Sequence, residues 1–495
     1  MTVTYDFLRL SIQIAYYVLV SLVIVLILAR KREPEAALAW ILAVIFLPMI
    51  GIILFFLAGV RKIPTRLKRK LYHRNEFNKK FSEQDILINP IFDSFHTPDV
   101  VRSSGPEFIP TQRWSALNII ADKLSDSRKR WGNSIELLAD GEKAFDAIFT
   151  AIEAAKDHVH IEKFIFRYDQ LGKRLVDLLI KKIKQNVEVR VLVDAFGSVF
   201  AWTLLARLRQ AGGHAAVFMQ LLPLFKRFTP NFRNHRKIVI CDGSVGFFGG
   251  LNIGDEYLGH RKRLLSDWCD VHLKVAGPAV LDLQRIFAED WDFATGEFLS
   301  EERYFRDIPA IGSAPIQIVS SGPDDDLNAI RSIYFSAMTH ADQSLLVASP
   351  YLVPDLAIRE ALISAALRGV KVSILTQGLP PDYWLPHLAS TFFWEDYLTA
   401  GIRIFLYQGG MMHAKFIVAD NAWASVGSAN IDNRSLALDF ELVGLLDRRD
   451  EVEVIANWFE DKIKQSIEVD LEKLKKRSIF RRIAERGALL FAPLL

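Results

Sequence analysis

One motif occurs twice, and it limits what this chain can fold into more than any other feature. His235, Lys237 and Asp242 stand in the spacing H-x-K-x4-D, and after six further residues comes Gly249-Gly250-Leu251-Asn252. His413, Lys415 and Asp420 repeat that spacing 178 residues later, with Gly427-Ser428-Ala429-Asn430 at the same distance beyond the aspartate. A single H-x-K on a strand carries little information. Two complete copies imply a duplicated unit, in which both halves can contribute to one composite site.

The pattern around the motifs repeats as well. In the first half, residues 144–155 read as a helix, 159–166 as a strand, and the stretch from Gly172 as a helix with Leu175, Leu179 and Ile183 on one face. Val187, Val189, Val191 and Val193 then alternate as in a strand; a helix over 202–210 and a strand near 215–219 precede the motif. The second half reads strand 315–319, helix 326–341, strand 344–353, helix 355–367, strand 370–374, helix 393–400 and strand 402–406 before its own motif. This is α/β alternation around a mixed sheet, present twice.

On a strand, side chains at i and i+2 share a face, so His235 and Lys237 are expected to emerge together, as are His413 and Lys415. An imidazole beside an ammonium suits a phosphodiester. The lysine neutralises non-bridging oxygens, and the histidine attacks phosphorus or moves a proton. Asn252 and Asn430, on turns of small residues, are expected to add donors to the same anion. Asp242 and Asp420 lie past the strand at a turn, which suits either direct chemistry or a structural turn or salt bridge. A nucleophilic histidine has its ring oriented by a carboxylate on the far nitrogen. Asp270 and Glu441, each among apolar residues of a later strand, are the candidates; a buried salt bridge is the alternative. No carboxylate cluster accompanies the motifs, so neither metal nor cofactor is expected.

Charge is nearly balanced, at 61 Lys+Arg against 58 Asp+Glu, which does not suit a nucleic-acid binder. Cys241 and Cys269 are the only cysteines, too few for a disulfide framework, and are expected in the core. Apolar residues concentrate at the N-terminus, where residues 10–29 and 36–60 carry no charge. Each run is long enough to cross about 30 Å of hydrocarbon at about 1.5 Å per residue. The first lacks the basic n-region and cleavage site of a signal peptide. A two-helix transmembrane hairpin is therefore expected. Arg30, Lys31 and Arg32 compete with seven basic residues over 61–74, and the excess favours catalytic domains facing the cytoplasm. That basic stretch suits either anionic headgroups or a plain stop-transfer flank. The basic tail 471–495 suits either the membrane interface or docking on the second domain.

Together, the paired motifs with their trailing Gly-x-x-Asn resemble the phospholipase D superfamily. Asn231-Phe-Arg-Asn-His-Arg-Lys-Ile-Val239, Gly249-Gly-Leu-Asn-Ile-Gly-Asp-Glu-Tyr257, Trp268-Cys-Asp-Val-His272 and Gly427-Ser-Ala-Asn-Ile-Asp-Asn-Arg-Ser435 narrow the likeness to the bacterial cardiolipin synthases. So do Ala39-Trp40 and Leu47-Pro48-x-x-Gly51 near the N-terminus. The resemblance implies tandem phospholipase D-like domains that share one interface site. It also implies conversion of two phosphatidylglycerol molecules to cardiolipin and glycerol through a phosphohistidine, with His235 as nucleophile and His413 as acid and base. The expected organisation is a hairpin over 1–60, a basic segment and linker over 61–132, domains over 133–300 and 315–470, and a tail over 471–495. Expected partners are phosphatidylglycerol and anionic membrane lipid, with no nucleic acid. A phospholipase-type hydrolase, another phosphatidyltransferase, a superfamily nuclease and a non-enzymatic scaffold are the alternatives.

Overall fold

A computed structural model describes residues 2–29, 34–47, 49–56, 112–125, 127–219, 232–258, 268–323 and 327–492. The basic stretch over 61–74 falls outside them, as does Phe225-Lys-Arg-Phe228 before the first motif, a mix of aromatic and basic residues that suits either a headgroup-facing rim or an ordinary loop. The chain divides into a small N-terminal unit of helices and a large unit that carries both repeats.

In the N-terminal unit, helices span Thr2–Leu28, Pro34–Phe46 and Ile50–Leu54. The second charge-free run is therefore broken. Pro48 lacks the amide hydrogen a continuing helix needs, and Met49 adopts a φ of 62°. Beyond the break the chain folds back on itself. A Cβ at Gly51 would lie 2.1 Å from the Ala43 carbonyl oxygen, and Trp40 meets Phe55 edge-on at 5.7 Å. Val20, Val23, Ile27, Val44 and Phe55 form its small core. Among the described residues no helix is long and apolar enough to cross a membrane. In the described part of the second charge-free run the chain is a folded-back helix pair, and the two-span hairpin expected from the sequence is not shown.

The large unit is organised by one sheet. The first repeat contributes β1 (Lys129–Leu138), β2 (His158–Lys163), β3 (Glu188–Val193), β4 (His214–Val217), β5 (Ile238–Cys241), β6 (Val245–Gly249), β7 (Trp268–Cys269) and β8 (His272–Ala276). The second contributes β9 (Ala314–Ser321), β10 (Ser344–Ala348), β11 (Leu352–Val353), β12 (Lys371–Gln377), β13 (Arg403–Tyr407), β14 (Met411–Met412), β15 (Phe416–Ala419), β16 (Trp423–Gly427), β17 (Ile431–Asp432), β18 (Glu441–Leu446) and β19 (Ser466–Glu468). Outward from the central pair, the first half runs β1-β8-β6-β5-β2-β3-β4 and the second β9-β18-β16-β15-β10-β12-β13. Each of these strands has its counterpart at the same place, related by a pseudo-two-fold between β1 and β9, which pair antiparallel; β19 extends the second half at its edge, and β7 with β14 and β11 with β17 form two separate parallel pairs outside the sheet.

Both faces of the sheet are covered, as its strand sequences require. In β2, Val159 and Ile161 enter an apolar core formed with the Gly141–Ala154 and Gln170–Ile183 helices. On the other face one core joins both repeats, built around the Val280–Thr295 and Arg449–Ile463 helices. Cys241 and Cys269 are buried and free, as expected. Two elements lay hidden in the stretch read as linker. The Gln112–Ser125 helix sends Trp114, Leu117 and Ala121 into the second repeat's core, where Trp114 stacks on Trp423 at 6.0 Å. β1 then begins at Lys129. The tail also docks on the second repeat, through Leu474, Ala488 and Ala492.

Candidate active site

Both motifs lie at the entry to a strand and not within it. β5 and β15 begin one residue after Lys237 and Lys415, leaving His235 and His413 on extended chain that crosses to the other repeat. His235 donates its backbone N–H to the Phe440 carbonyl at 2.9 Å, and Phe440 donates to Arg233 at 2.8 Å. His413 donates to the Cys269 carbonyl at 2.8 Å, next to the parallel pairing of β14 with β7. Each histidine is thus hydrogen-bonded to the opposite half.

The carboxylates are exchanged in the same way. His235 Nδ1 lies 2.9 Å from Glu441 Oε1, across 206 positions, and His413 Nδ1 lies 2.6 Å from Asp270 Oδ2. Each imidazole is therefore held on Nδ1 by an acid of the other repeat, which leaves Nε2 as the nitrogen not committed to a carboxylate. Twelve per cent of each imidazole side chain remains exposed, enough to offer that nitrogen to a substrate. Phe164 packs edge-on against His235 at 4.9 Å, and Trp268 packs against His413 at 4.9 Å.

The two halves differ where the acids sit. Asp270 fits because position 250 is glycine: a Cβ there would meet its Oδ1 at 2.0 Å. The equivalent Ser428 instead donates its hydroxyl to Glu441 Oε2 at 2.5 Å, bracing the longer acid. Gly250→Ala is expected to push Asp270 off His413 and lower turnover by about 10²-fold, read from steady-state kinetics with unchanged far-UV circular dichroism. Ser428→Ala should have a smaller effect, because Glu441 keeps its bond to His235.

Lys237 and Lys415 are fully buried, and each ammonium donates to the carbonyl of its own motif histidine. Burial lowers both, Lys415 to about 8 and Lys237 well below the usual lysine range, against the opposing pull of Glu441 and Asp270. Glu441 is raised to about 7, first by burial. His413 is lowered to about 3 by burial and then Lys415, with Asp270 opposing. His235 is also lowered well below its ordinary value, by burial and then Lys237, Lys415 and Arg434.

Other expected residues serve the frame. Asp242 accepts backbone N–H groups from Lys156, Asp157 and His158, and Asp420 from Asp342, Gln343 and Ser344. Both aspartates adopt a φ of 52° at the turn, at the far end of a strand rising about 3.3 Å per residue from the histidine. They staple loops, and the direct-chemistry alternative for them is set aside. The amides expected to meet a phosphate are also engaged: Asn252 donates to Tyr257 Oη at 2.6 Å and accepts from Ile165, while Asn430 bonds Asp432. The motif alone did not reveal Lys163 and His272. Lys163 is buried, donates to the Leu251 carbonyl, and is lowered to about 7 chiefly by burial. Among the described residues no group of three or more histidines, cysteines or acids is placed to hold a metal ion.

Buried histidines make the fold acid-labile. His158, His160 and His413 are lowered to about 3, His387 to about 4, and His272 well below 6.5, each first by burial. A depressed histidine contributes stability that is complete above its free value near 6.5 and is lost as the pH falls below it, at up to about 1.4 kcal/mol per pH unit. The urea midpoint is expected to drop steeply between about pH 6.5 and pH 4; a flat midpoint across that window would mean these rings are not held neutral.

Two α/β repeats that exchange carboxylates across a shared pair of H-x-K sites define a phospholipase D-like protein. The family described as "Cardiolipin synthase, PLD-like domain" matches residues 148–291 and 334–463, and the one described as "Phospholipase D-nuclease N-terminal" matches residues 18–59. The chain belongs to the cardiolipin synthase family. A cardiolipin synthase of Oceanobacillus iheyensis is 34% identical over 481 residues, covering 96% of this chain and 97% of that protein. The major cardiolipin synthase of Bacillus subtilis is 33% identical over 483 residues, with 96% and 97% covered. The solved structure of phosphatidylserine synthase from Haemophilus influenzae is alike in fold, with a TM-score of 0.57 at 13% identity, over 78% of this chain and 100% of that one.

Proposed function

We propose that the protein is a cardiolipin synthase that transfers a phosphatidyl group between two phosphatidylglycerol molecules. The crosswise pairing of the two motif imidazoles with Glu441 and Asp270 carries this reading. His235 Nε2 attacks phosphorus, the bond to the glycerol headgroup breaks, and the imidazolium of His413 gives its proton to the departing oxygen. Neutral His413 then takes a proton from a hydroxyl of the second phosphatidylglycerol. That oxygen attacks the phosphohistidine, the P–N bond breaks, and cardiolipin leaves. Lys237 and Lys415 offset the charge that gathers on the non-bridging oxygens.

His235 is assigned as nucleophile and His413 as acid and base by likeness to the family, and the surroundings of the two rings support that order. His235 is flanked by three cations, Lys237, Lys415 and Arg434, so its neutral, nucleophilic form is favoured. Asp270 opposes the lowering of His413, which is neutral in the free protein, and an entering diester anion that binds together with a proton supports the imidazolium that acts. Purified full-length enzyme given phosphatidylglycerol labelled in its headgroup should release glycerol and form cardiolipin in equal amounts, with or without phosphatidylethanolamine. Phosphatidic acid as the sole lipid product would establish hydrolysis instead.

We also propose that the phospholipase D-like domains, expected over 133–300 and 315–470, start with their central strands at Lys129 and Ala314, and that the N-terminal unit embeds in the bilayer with both repeats on the cytoplasmic side. A folded-back pair at 34–54 returns the chain to the side it entered from, so Arg30–Arg32 and the basic residues after 61 no longer compete for one face. Topology reporters fused at residue 33 and at the C-terminus should both report cytoplasm, whereas opposite sides would restore two straight spans.

A further inference from the structure

The C-terminal Ile479–Leu489 helix is held on the second repeat by one face only. Glu485 and Ala488 point inward; Glu485 accepts from Arg477 Nε at 2.9 Å, and Arg477 also donates to Glu395 at 2.7 Å. On the opposite face Phe480, Ile483 and Leu490 recur at i, i+3 and i+10, with Phe480 79% and Leu490 82% exposed. Exposed Arg486 stands beside that stripe, while Arg482, on the same side of the helix, donates to the Lys475 carbonyl at 2.6 Å. An apolar stripe bordered by cations is the pattern of a helix lying in the interface of an anionic bilayer.

Other exposed apolar groups rim the site itself. The helix packs on the Trp384–Thr391 helix, whose first turn exposes Trp384 beside exposed Tyr383. Those residues follow Asp382, which lies in the field of Lys415 and accepts from Tyr351 Oη at 2.5 Å. At the pseudo-symmetric position after β3, Asp194 accepts the backbone N–H of Asn234, next to His235, and that of Phe196. The same loop exposes Phe200 and Trp202. Aromatic groups thus stand outside both halves of the site, where a headgroup has to enter.

We propose that the Ile479–Leu489 helix and the loops after β3 and β12 form one docking face for an anionic lipid bilayer, holding the mouth of the site at headgroup level. The proposal rests on the phosphatidyl-transfer reading, since a bilayer-held diester is what makes such a face useful. Charge complementarity selects the occupant: exposed Arg486 borders the apolar stripe, exposed Lys476 stands just before the helix, and the substrate lipid is itself anionic.

The test uses the full chain reconstituted in vesicles of phosphatidylcholine and phosphatidylglycerol. Cys241 and Cys269 are buried, so a fluorophore attached to Ile483→Cys labels one site. Lipids spin-labelled on the acyl chain are expected to quench it and aqueous iodide is not. The triple variant Phe480→Asp/Ile483→Asp/Leu490→Asp is expected to lose roughly tenfold in activity on vesicles while keeping wild-type activity on a short-chain, monomeric phosphatidylglycerol, which also reports that it folds. Quenching by iodide alone, shielding from both quenchers with cross-linking between two copies, or unchanged vesicle activity in the variant would overturn the docking face. Failure of the wild type to form cardiolipin from either substrate would overturn the transfer reading, while the quenching result still decides the docking.

Discussion

Alanine at His235 or at His413 is expected to lower cardiolipin formation by at least about 10⁴-fold, and the double variant to be no worse than either single one. The reason lies in the division of labour. Without His235 no P–N bond forms; without His413 the glycerol oxygen must leave as an alkoxide in a site whose lysines are already lowered by burial. Groups that act as one unit fail together, so the losses do not add. Both rings are buried on Nδ1 by a carboxylate of the other repeat, and truncating either leaves that acid without its imidazole partner. Part of the loss could therefore come from local rearrangement. Supplying imidazole separates the two causes: recovery of turnover in His413→Ala but not in His235→Ala fits a missing proton carrier, because free imidazole can carry a proton but not hold the phosphatidyl group on the enzyme. Near-normal activity of either single variant would mean that the two motifs do not share a site.

The duplication was legible because it rests on local order. Apolar alternation around Val187–Val193 and its counterpart, and the two identical motif spacings, survive without any knowledge of distant contacts. Asp270 and Glu441 were also visible as isolated acids in apolar strands. Their exchange between halves was not, since it depends on β1 and β9 pairing at the centre of the sheet, which no local pattern encodes. The roles of Asp242, Asp420, Asn252 and Asn430 were obscured for a related reason. Motif spacing reports which residues recur, but a recurring turn and a recurring catalytic group leave the same trace; backbone amides of residues about 80 positions away reveal the staples. The Gln112–Ser125 helix was missed because Trp114, Leu117 and Ala121 are its only fully buried apolar residues among the described ones, too narrow a stripe to stand out. At the N-terminus, Pro48 and Gly51 were visible as interruptions of the second apolar run, but hydropathy alone does not tell a kinked span from a chain that folds back.

Glu441→Gln and Asp270→Asn are each expected to lower turnover by about 10²–10⁴-fold, at different steps. Glu441, on the second repeat, holds the Nδ1–H of His235, on the first; an amide at 441 no longer enforces the tautomer with a free lone pair on Nε2. Attack on phosphorus then fails whatever the leaving group. Asp270 serves His413 instead, and an amide there withdraws the negative charge that supports its imidazolium. The His235–Glu441 pair is untouched, so only protonation of the glycerol oxygen suffers. A phosphatidyl donor with a p-nitrophenol headgroup needs no proton to leave. With it, Asp270→Asn is expected to recover a phosphoenzyme, detected by rapid alkaline quenching with donor labelled at phosphorus, while Glu441→Gln is not. Rescue of Glu441→Gln alone would exchange the roles of His235 and His413. Rescue of both or neither would mean that the exchanged carboxylates hold the interface together without separating the two steps. The crosswise geometry thus yields a kinetic pattern that a site built from either repeat alone would not produce, because there each acid would act on the histidine of its own motif.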